Sequence, residues 1–252
     1  LLRPVDVAEE TSVPPIEGTF SQLTSLPGAE LFPSLSPDGD NAAYASREAG
    51  NWDIYLKRVG GERVINLTED SPADDMQPAF SPDGEQIAFR SERGGGGIFV
   101  MGATGESVRR LTDFGYNPVW SPEGEEILCA TETILQPYGR GTISQLWAVN
   151  VASGEKRLIT EGDAVQPHWS PHGHRIAYWA VPEGSGQRDL WTIPAEGGVA
   201  VPVTSDVDLD WNPVWSTDGS YLYFSSDRGG SMNLWRVPIE EETGELLGEP
   251  QP

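Results

Sequence analysis

The chain has 252 residues, with 16 basic against 39 acidic side chains and a formal net charge of −23. That balance excludes binding nucleic acid through its phosphates, which takes a basic face, and the single cysteine, Cys129, excludes an internal disulfide framework or a multi-thiolate metal site. No apolar run approaches the ~18–20 residues of a membrane helix, and 29 glycines with 21 prolines are more helix-breaking content than a helical fold carries.

Residues 1–17 are rich in proline and glutamate and lack periodicity, so they read as an N-terminal arm. Residues 18–24, Gly-Thr-Phe-Ser-Gln-Leu-Thr, have the pattern of a strand. A repeat then begins. Pro33-Ser34-Leu35-Ser36-Pro37-Asp38-Gly39 is echoed by Pro78-Ala79-Phe80-Ser81-Pro82-Asp83-Gly84 and by Pro118-Val119-Trp120-Ser121-Pro122-Glu123-Gly124. It returns as Pro167-His168-Trp169-Ser170-Pro171-His172-Gly173 and Pro213-Val214-Trp215-Ser216-Thr217-Asp218-Gly219. The closing glycines are separated by 45, 40, 49 and 46 residues.

Each copy continues in the same way. After the glycine comes an apolar run such as Ile87-Ala88-Phe89 or Leu222-Tyr223-Phe224, then a polar turn such as Ser91-Glu92-Arg93-Gly94-Gly95. A third run follows (Asp53-Ile54-Tyr55, Gly97-Ile98-Phe99, Gln145-Leu146-Trp147, Asp189-Leu190-Trp191, Asn233-Leu234-Trp235), and a fourth ends in Leu67-Thr68, Leu111-Thr112, Ile159-Thr160 or Val203-Thr204. Short β-branched and aromatic runs bounded by Gly, Pro, Asp and Ser are strands and turns. Four strands per ~40–50 residues is the signature of a propeller blade. In the Ser-Pro-Asp-Gly element, proline presets φ, the acid bonds the following backbone, and glycine takes the positive-φ place, which makes a hairpin between the first and second strands. The aromatic two residues before its proline (Phe80, Trp120, Trp169, Trp215, with Leu35 in the first copy) is expected between neighbouring blades.

The expected fold is therefore all-β: a β-propeller of five four-stranded blades near 33–68, 78–112, 118–160, 167–204 and 213–252, within one domain spanning 18–252. The strand at 18–24 is expected to close the ring by completing the last blade, since closure removes an open sheet edge. Six blades result instead if residues 240–252 and 1–24 pair as a degenerate sixth. A closed ring implies a monomer, and an open one implies a dimer through its exposed edges.

No Gly-x-Ser-x-Gly nucleophile elbow occurs, and the pattern leaves no βαβ unit to carry a triad, so the chain is not read as an enzyme and needs no cofactor. His168, His172 and His174 fall within seven residues, a spacing at which two imidazoles can share one side of a hairpin. Asp206 and Asp208 alternate with Asp210 in a loop. Both groups are weak metal candidates; neither loop has the glycine and terminal glutamate of an EF-hand, and surface substitution explains them more simply.

The repeat Pro-x-aromatic-Ser-Pro-Asp-Gly, then Ile-Ala-Tyr, Asp-Leu-Trp and Leu-Thr, resembles the TolB-type, WD-like propeller repeat family from about Phe20 to Pro238. The same repeat occurs in kinase-associated sensor propellers and in prolyl-oligopeptidase-like propellers, so the resemblance fixes fold more tightly than function. It implies a non-catalytic scaffold that binds a protein or peptide, as the interaction or sensor module of a larger bacterial protein in an extracytoplasmic or periplasmic setting. The alternatives are the substrate-gating propeller of a peptidase and a small-ligand or metal sensor. Residues just before each repeat's first proline enter the innermost strand and are expected to ring the channel mouth: Glu30 and Phe32, Asp75 and Gln77, Tyr116 and Asn117, Gln166, and Asp210, Trp211 and Asn212. By the resemblance, this is where a partner docks, and the negative field favours a basic one.

Overall fold

In the computed structural model, the structure describes residues 22–24, 28–132, 143–181 and 186–252. Nineteen strands form five antiparallel sheets among the described residues, in which no α-helix occurs. Blade one comprises β1 (Glu30–Leu35), β2 (Asn41–Ser46), β3 (Asp53–Arg58) and β4 (Val64–Asn66). Blade two comprises β5 (Asp75–Phe80), β6 (Gln86–Ser91), β7 (Gly97–Gly102) and β8 (Arg109–Arg110). Blade three holds β9 (Tyr116–Trp120), β10 (Glu126–Ala130), β11 (Leu146–Asn150) and β12 (Lys156–Leu158). Blade four holds β13 (Val165–Trp169), β14 (Arg175–Ala180), β15 (Asp189–Pro194) and β16 (Val201–Pro202). Blade five holds β17 (Asp210–Trp215), β18 (Tyr221–Ser226) and β19 (Asn233–Pro238).

Every sheet is ordered as the chain runs, so each blade is a meander that enters at the ring's inside and leaves at its rim. The hairpin chemistry is as the residues dictate. The five motif glycines, Gly39, Gly84, Gly124, Gly173 and Gly219, have φ of 73–76°, and each donates its N–H to the motif serine's carbonyl at 2.8–3.1 Å. Ser81 Oγ donates to Asp83 at 2.6 Å and accepts the Gln86 N–H at 2.9 Å, tying the turn to the next strand. A second latch recurs at the outer strand. The hydroxyls of Thr68, Thr112, Thr160 and Thr204 accept the N–H of Ile54, Ile98, Leu146 and Leu190 at 2.9–3.0 Å, fixing strand four against strand three.

Packing between blades forms the core. Each of four apolar clusters joins one blade to the next, and Phe80, Trp120, Trp169 and Trp215 sit one in each, as the repeat predicts. Trp120 adds a hydrogen bond across the seam, donating Nε1 to the Ala79 carbonyl at 2.9 Å. No such cluster joins blade five to blade one among the described residues. Leu35, the first copy's counterpart of those aromatics, is 61% exposed, against 4–7% for the three tryptophans.

Five blades stand as expected, and among the described residues the C-terminal segment pairs with the outermost strand of blade five. Arg236 and Gln251 exchange both backbone hydrogen bonds at 2.7 and 2.8 Å, and Ile239 bridges Leu246, so the C-terminal residues take the fourth position. Of the expected closing strand, residues 18–21 lie outside the described residues, as does the arm at 1–17, and Gln22–Thr24 form no strand.

Candidate partner-binding site at the channel mouth

Each innermost strand carries a β-bulge at the same place: the register slips between Leu31 and Ser34, Met76 and Ala79, Val165 and His168, Trp211 and Val214, and opposite Leu128–Ala130 in blade three. The residue responsible is Phe32, Gln77, Asn117, Gln166 or Asn212, with φ of 47–55° in all five. A side-chain-bearing residue in that left-handed region costs about 1–2 kcal/mol, and each precedes a proline, which further narrows its choices. The bulge turns these five residues inward. Together with Pro33, Pro78, Pro118, Pro167 and Pro213 they line one axial cavity of about 210 Å³, to which Val119, His168 and Val214 also contribute.

The amides are arranged rather than loose. Gln77 Oε1 accepts the Asn117 N–H from the next blade at 2.8 Å, and Gln166 Oε1 accepts Trp179 Nε1 at 2.5 Å. Asn117 Nδ2 is shielded from solvent without a hydrogen-bond partner, and Asn212 is exposed. His168 Nδ1 lies 2.9 Å from the Trp169 carbonyl oxygen, and desolvation holds its pKa below the ordinary value, so the imidazole is neutral near pH 7. The collar therefore offers amide, aromatic and imidazole groups on a backbone fixed by five sheets.

The other sequence-predicted positions divide. Tyr116 is half-buried under the Arg90 guanidinium, 4.3 Å from its ring centroid. Trp211, also half-buried, points Nε1 at Met232 Sδ at 3.4 Å. Glu30 accepts a hydrogen bond from the Thr24 hydroxyl. Asp75 and Asp210 are fully buried and do not present their carboxylates at a surface. Arg93 clamps Asp75 at 2.7 Å and Arg228 clamps Asp210 at 2.8 Å. Burial still dominates, pushing both carboxyl pKa values up. The signal for these clamps was in the sequence: an aspartate opening the first strand occurs only in blades two and five, and only those blades carry Arg-Gly-Gly after the second strand.

The histidines are scattered by function. His168 is inside the channel, whereas His172 Nδ1 contacts Glu241 Oε2 at 2.6 Å at a blade-four turn, and the His172 and His174 rings lie 6.3 Å apart. Asp206 pairs with Arg228 at 3.2 Å, and its Oδ1 accepts the Asp208 N–H at 3.0 Å. Among the described residues no three His, Cys, Asp or Glu side chains converge as metal ligands do.

Residues 53–247 match the family of tricorn protease N-terminal β-propeller domains. Over 100 residues, 39% of this chain, the sequence is 35% identical to the Tol-Pal system protein TolB of Anaeromyxobacter dehalogenans, and the match covers 21% of that protein. The crystal structure of TolB from Acinetobacter baumannii superposes with a TM-score of 0.71 at 22% identity, covering 89% of this chain and 54% of that one. An oligogalacturonate lyase in complex with manganese superposes with a TM-score of 0.65 at 17% identity, covering 87% and 64%. The chain thus spans about a fifth of the curated TolB and about half of the solved one, and the structural likenesses establish shared fold alone.

Proposed function

The chain belongs to the tricorn protease N-terminal β-propeller domain family, and from that premise we propose that it is a non-catalytic scaffold receiving a protein or peptide segment at its channel mouth. The observation that carries this reading is the collar: five blades spend backbone strain at one position to aim Phe32, Gln77, Asn117, Gln166 and Asn212 into one cavity. Strain repeated at a rim is more easily understood as positioning for recognition than as packing. A cavity of about 210 Å³ admits a side chain or a chain terminus and not a whole drug-sized ligand. The net charge of −23 favours a basic segment and speeds its approach at low salt. The reading also draws on the 35% identity over 100 residues to a Tol-Pal system protein, and takes the chain to be the interaction module of a larger bacterial protein in an extracytoplasmic setting.

The test is selection of binders from a displayed library of basic decapeptides, followed by titration of a fluorescein-labelled binder against the protein and against Asn117→Ala, Gln166→Ala and Asn212→Ala. A loss of about tenfold or more in at least two variants supports the reading. Unchanged affinity in all three defeats it. A second reading, in which the propeller filters substrate for a peptidase domain, draws on the family's namesake protease; a hydrolase domain encoded on the same polypeptide would favour it.

A further inference from the structure

The collar repeats one backbone geometry five times, and a single side chain breaks that symmetry. The residue after each motif's first proline is Ser34, Ala79, Val119, His168 or Val214. Ser34 is engaged at a seam, where its Oγ accepts the Phe80 N–H at 3.1 Å. Val119, His168 and Val214 face the axial cavity, and among the described residues His168 is the one titratable group in its lining. Phe32, five prolines, four amides and two valines make up the rest, so neither a carboxylate nor a permanent cation of the described residues lines the cavity.

The fold also sets which nitrogen of His168 is free. Nδ1 lies 2.9 Å from the Trp169 carbonyl oxygen, which can only accept, so the neutral imidazole carries its proton on Nδ1. The Trp215 N–H approaches the same nitrogen at 3.4 Å, too far to compete. Nε2 is therefore the bare acceptor. On the strands packed against β13, the ionisable groups are Tyr116 of β9, Glu126 and Cys129 of β10, Arg175 and Tyr178 of β14, and Asp210 of β17. Each is engaged elsewhere or held uncharged. Asp210 pairs with Arg228, Glu126 with Arg157, Arg175 bonds Thr192, and Tyr116 lies under Arg90. Burial pushes Cys129 and Tyr178 up to about 12. Only burial and the Trp169 carbonyl act on His168, and burial is the larger.

Given the channel-mouth reading, on which this rests, we propose that His168 is the specificity-determining residue of the mouth: its Nε2 accepts a hydrogen bond from an uncharged N–H or O–H group on the side chain that enters the cavity. Related amides on successive blades offer a ligand several similar poses, and one imidazole on one blade removes that degeneracy. Burying an ammonium among uncharged groups is costly, whereas a carboxamide, hydroxyl or indole N–H satisfies the acceptor without stranding a charge. The basic residues that the net charge of −23 attracts then flank the inserted residue and stay at the solvated rim. Protonation places a hydrogen on Nε2 and turns the acceptor into a donor, so binding weakens as pH falls through the His168 pKa.

The experiment has two parts. Long-range proton–nitrogen NMR of the 252-residue chain reads the tautomer and pKa of His168, with His168→Val assigning the signals; valine is the residue that blades three and five carry at this position. The expected result is a proton on Nδ1 at about pH 7.5 and a pKa below the ordinary histidine value. Calorimetric titration with an unlabelled basic decapeptide selected on the protein then follows Kd from about pH 8 down through that pKa. In the parent, Kd should rise about threefold or more across it. His168→Val should bind about tenfold more weakly at about pH 7.5. His168→Gln, whose carbonyl is also an acceptor, should keep more of the affinity, and neither variant should retain the pH dependence. A proton on Nε2 overturns the inference, as does an affinity that is flat or strengthens on acidification, or a His168→Val variant indistinguishable from the parent. Those results stand apart from failure of the mouth reading, in which no decapeptide binds or Asn117→Ala, Gln166→Ala and Asn212→Ala are all silent; that outcome removes both.

Discussion

Asp189 gives the sharpest test of the electrostatics inside a blade. It opens β15 with only 6% of its surface exposed, and its Oδ1 has no hydrogen-bond partner. Burial first, then the nearby charges of Asp210 and Asp206, raises its pKa from 3.8 to about 6, against a smaller opposing effect of the Thr204 hydroxyl. The matching residue of blade one, Asp53, is solvated by protein: Asn51 and Asn66 donate to its two oxygens at 2.9 and 2.8 Å. Blade four has Pro202 where blade one has Asn66, and proline has no side-chain amide to donate. Because the folded-state value lies above the unfolded one, the folded chain binds this proton more tightly. The stability that proton provides is complete below about pH 4 and is lost as pH rises through about 6. A shift of about two pH units corresponds to at most about 3 kcal/mol. Asp189→Asn removes the charge and keeps the shape. Urea unfolding followed by tryptophan fluorescence should show the variant more stable than the parent by about 1–2 kcal/mol at pH 7, with the difference shrinking or reversing toward pH 4. A difference of the same size at both pH values would refute the assignment, because a packing effect does not titrate.

Three other outcomes follow from the same geometry. Arg228→Met leaves Asp210 buried and unpaired, which costs about 3 kcal/mol near neutral pH in urea melts and less near pH 5; Asp210→Asn added to it restores much of the loss. His172→Ala removes the Glu241 contact, and since that contact raises the histidine's pKa, thermal melts should show the variant penalised at about pH 5.5 and nearly unchanged at about pH 8. Gly115→Ala sets a Cβ 2.8 Å from Cys129 Sγ at a φ of 105° and should destabilise by about 2 kcal/mol or more, while Gly154→Ala, with open space around it, costs about 1 kcal/mol by calorimetry.

The repeat made the blades legible because its information is local. Pro, Asp and Gly at fixed offsets dictate a turn, and the apolar runs between turns dictate strands, so five blades and the aromatic at each seam could be read from residue types. Five of the ten residues expected at the mouth line the cavity, and they were legible for the same reason: Phe32, Gln77, Asn117, Gln166 and Asn212 each adjoin a proline that starts the motif. Their left-handed backbone could not, since it is the tertiary packing of neighbouring blades that makes that strain tolerable. Asp75 and Asp210 were read as mouth carboxylates on position alone. Their burial depends on arginines 18 residues downstream, Arg93 and Arg228, and pairing at that distance is set by the meander and not by neighbouring sequence. The pairing of Gln251 with Arg236 at the outer edge of blade five was likewise illegible, because the residues around Gln251 carry no strand signature.

That last difference links the architecture to what the molecule can bind. In blades one to four a threonine hydroxyl pins strand four to strand three, and the apolar residue beside that hydrogen bond is sealed by the next blade. Blade five has neither: no threonine accepts the Leu234 N–H among the described residues, and Leu234 faces outward. The ring thus presents two kinds of surface with different physics. Its mouth is polar, strained and held by five sheets, suited to reading a short segment. The flank of blade five carries Leu234 and Val214, both exposed among the described residues. Ligand at the mouth should leave maleimide labelling of Leu234→Cys unchanged, since Leu234 lies outside the collar that Asn212 and Val214 line.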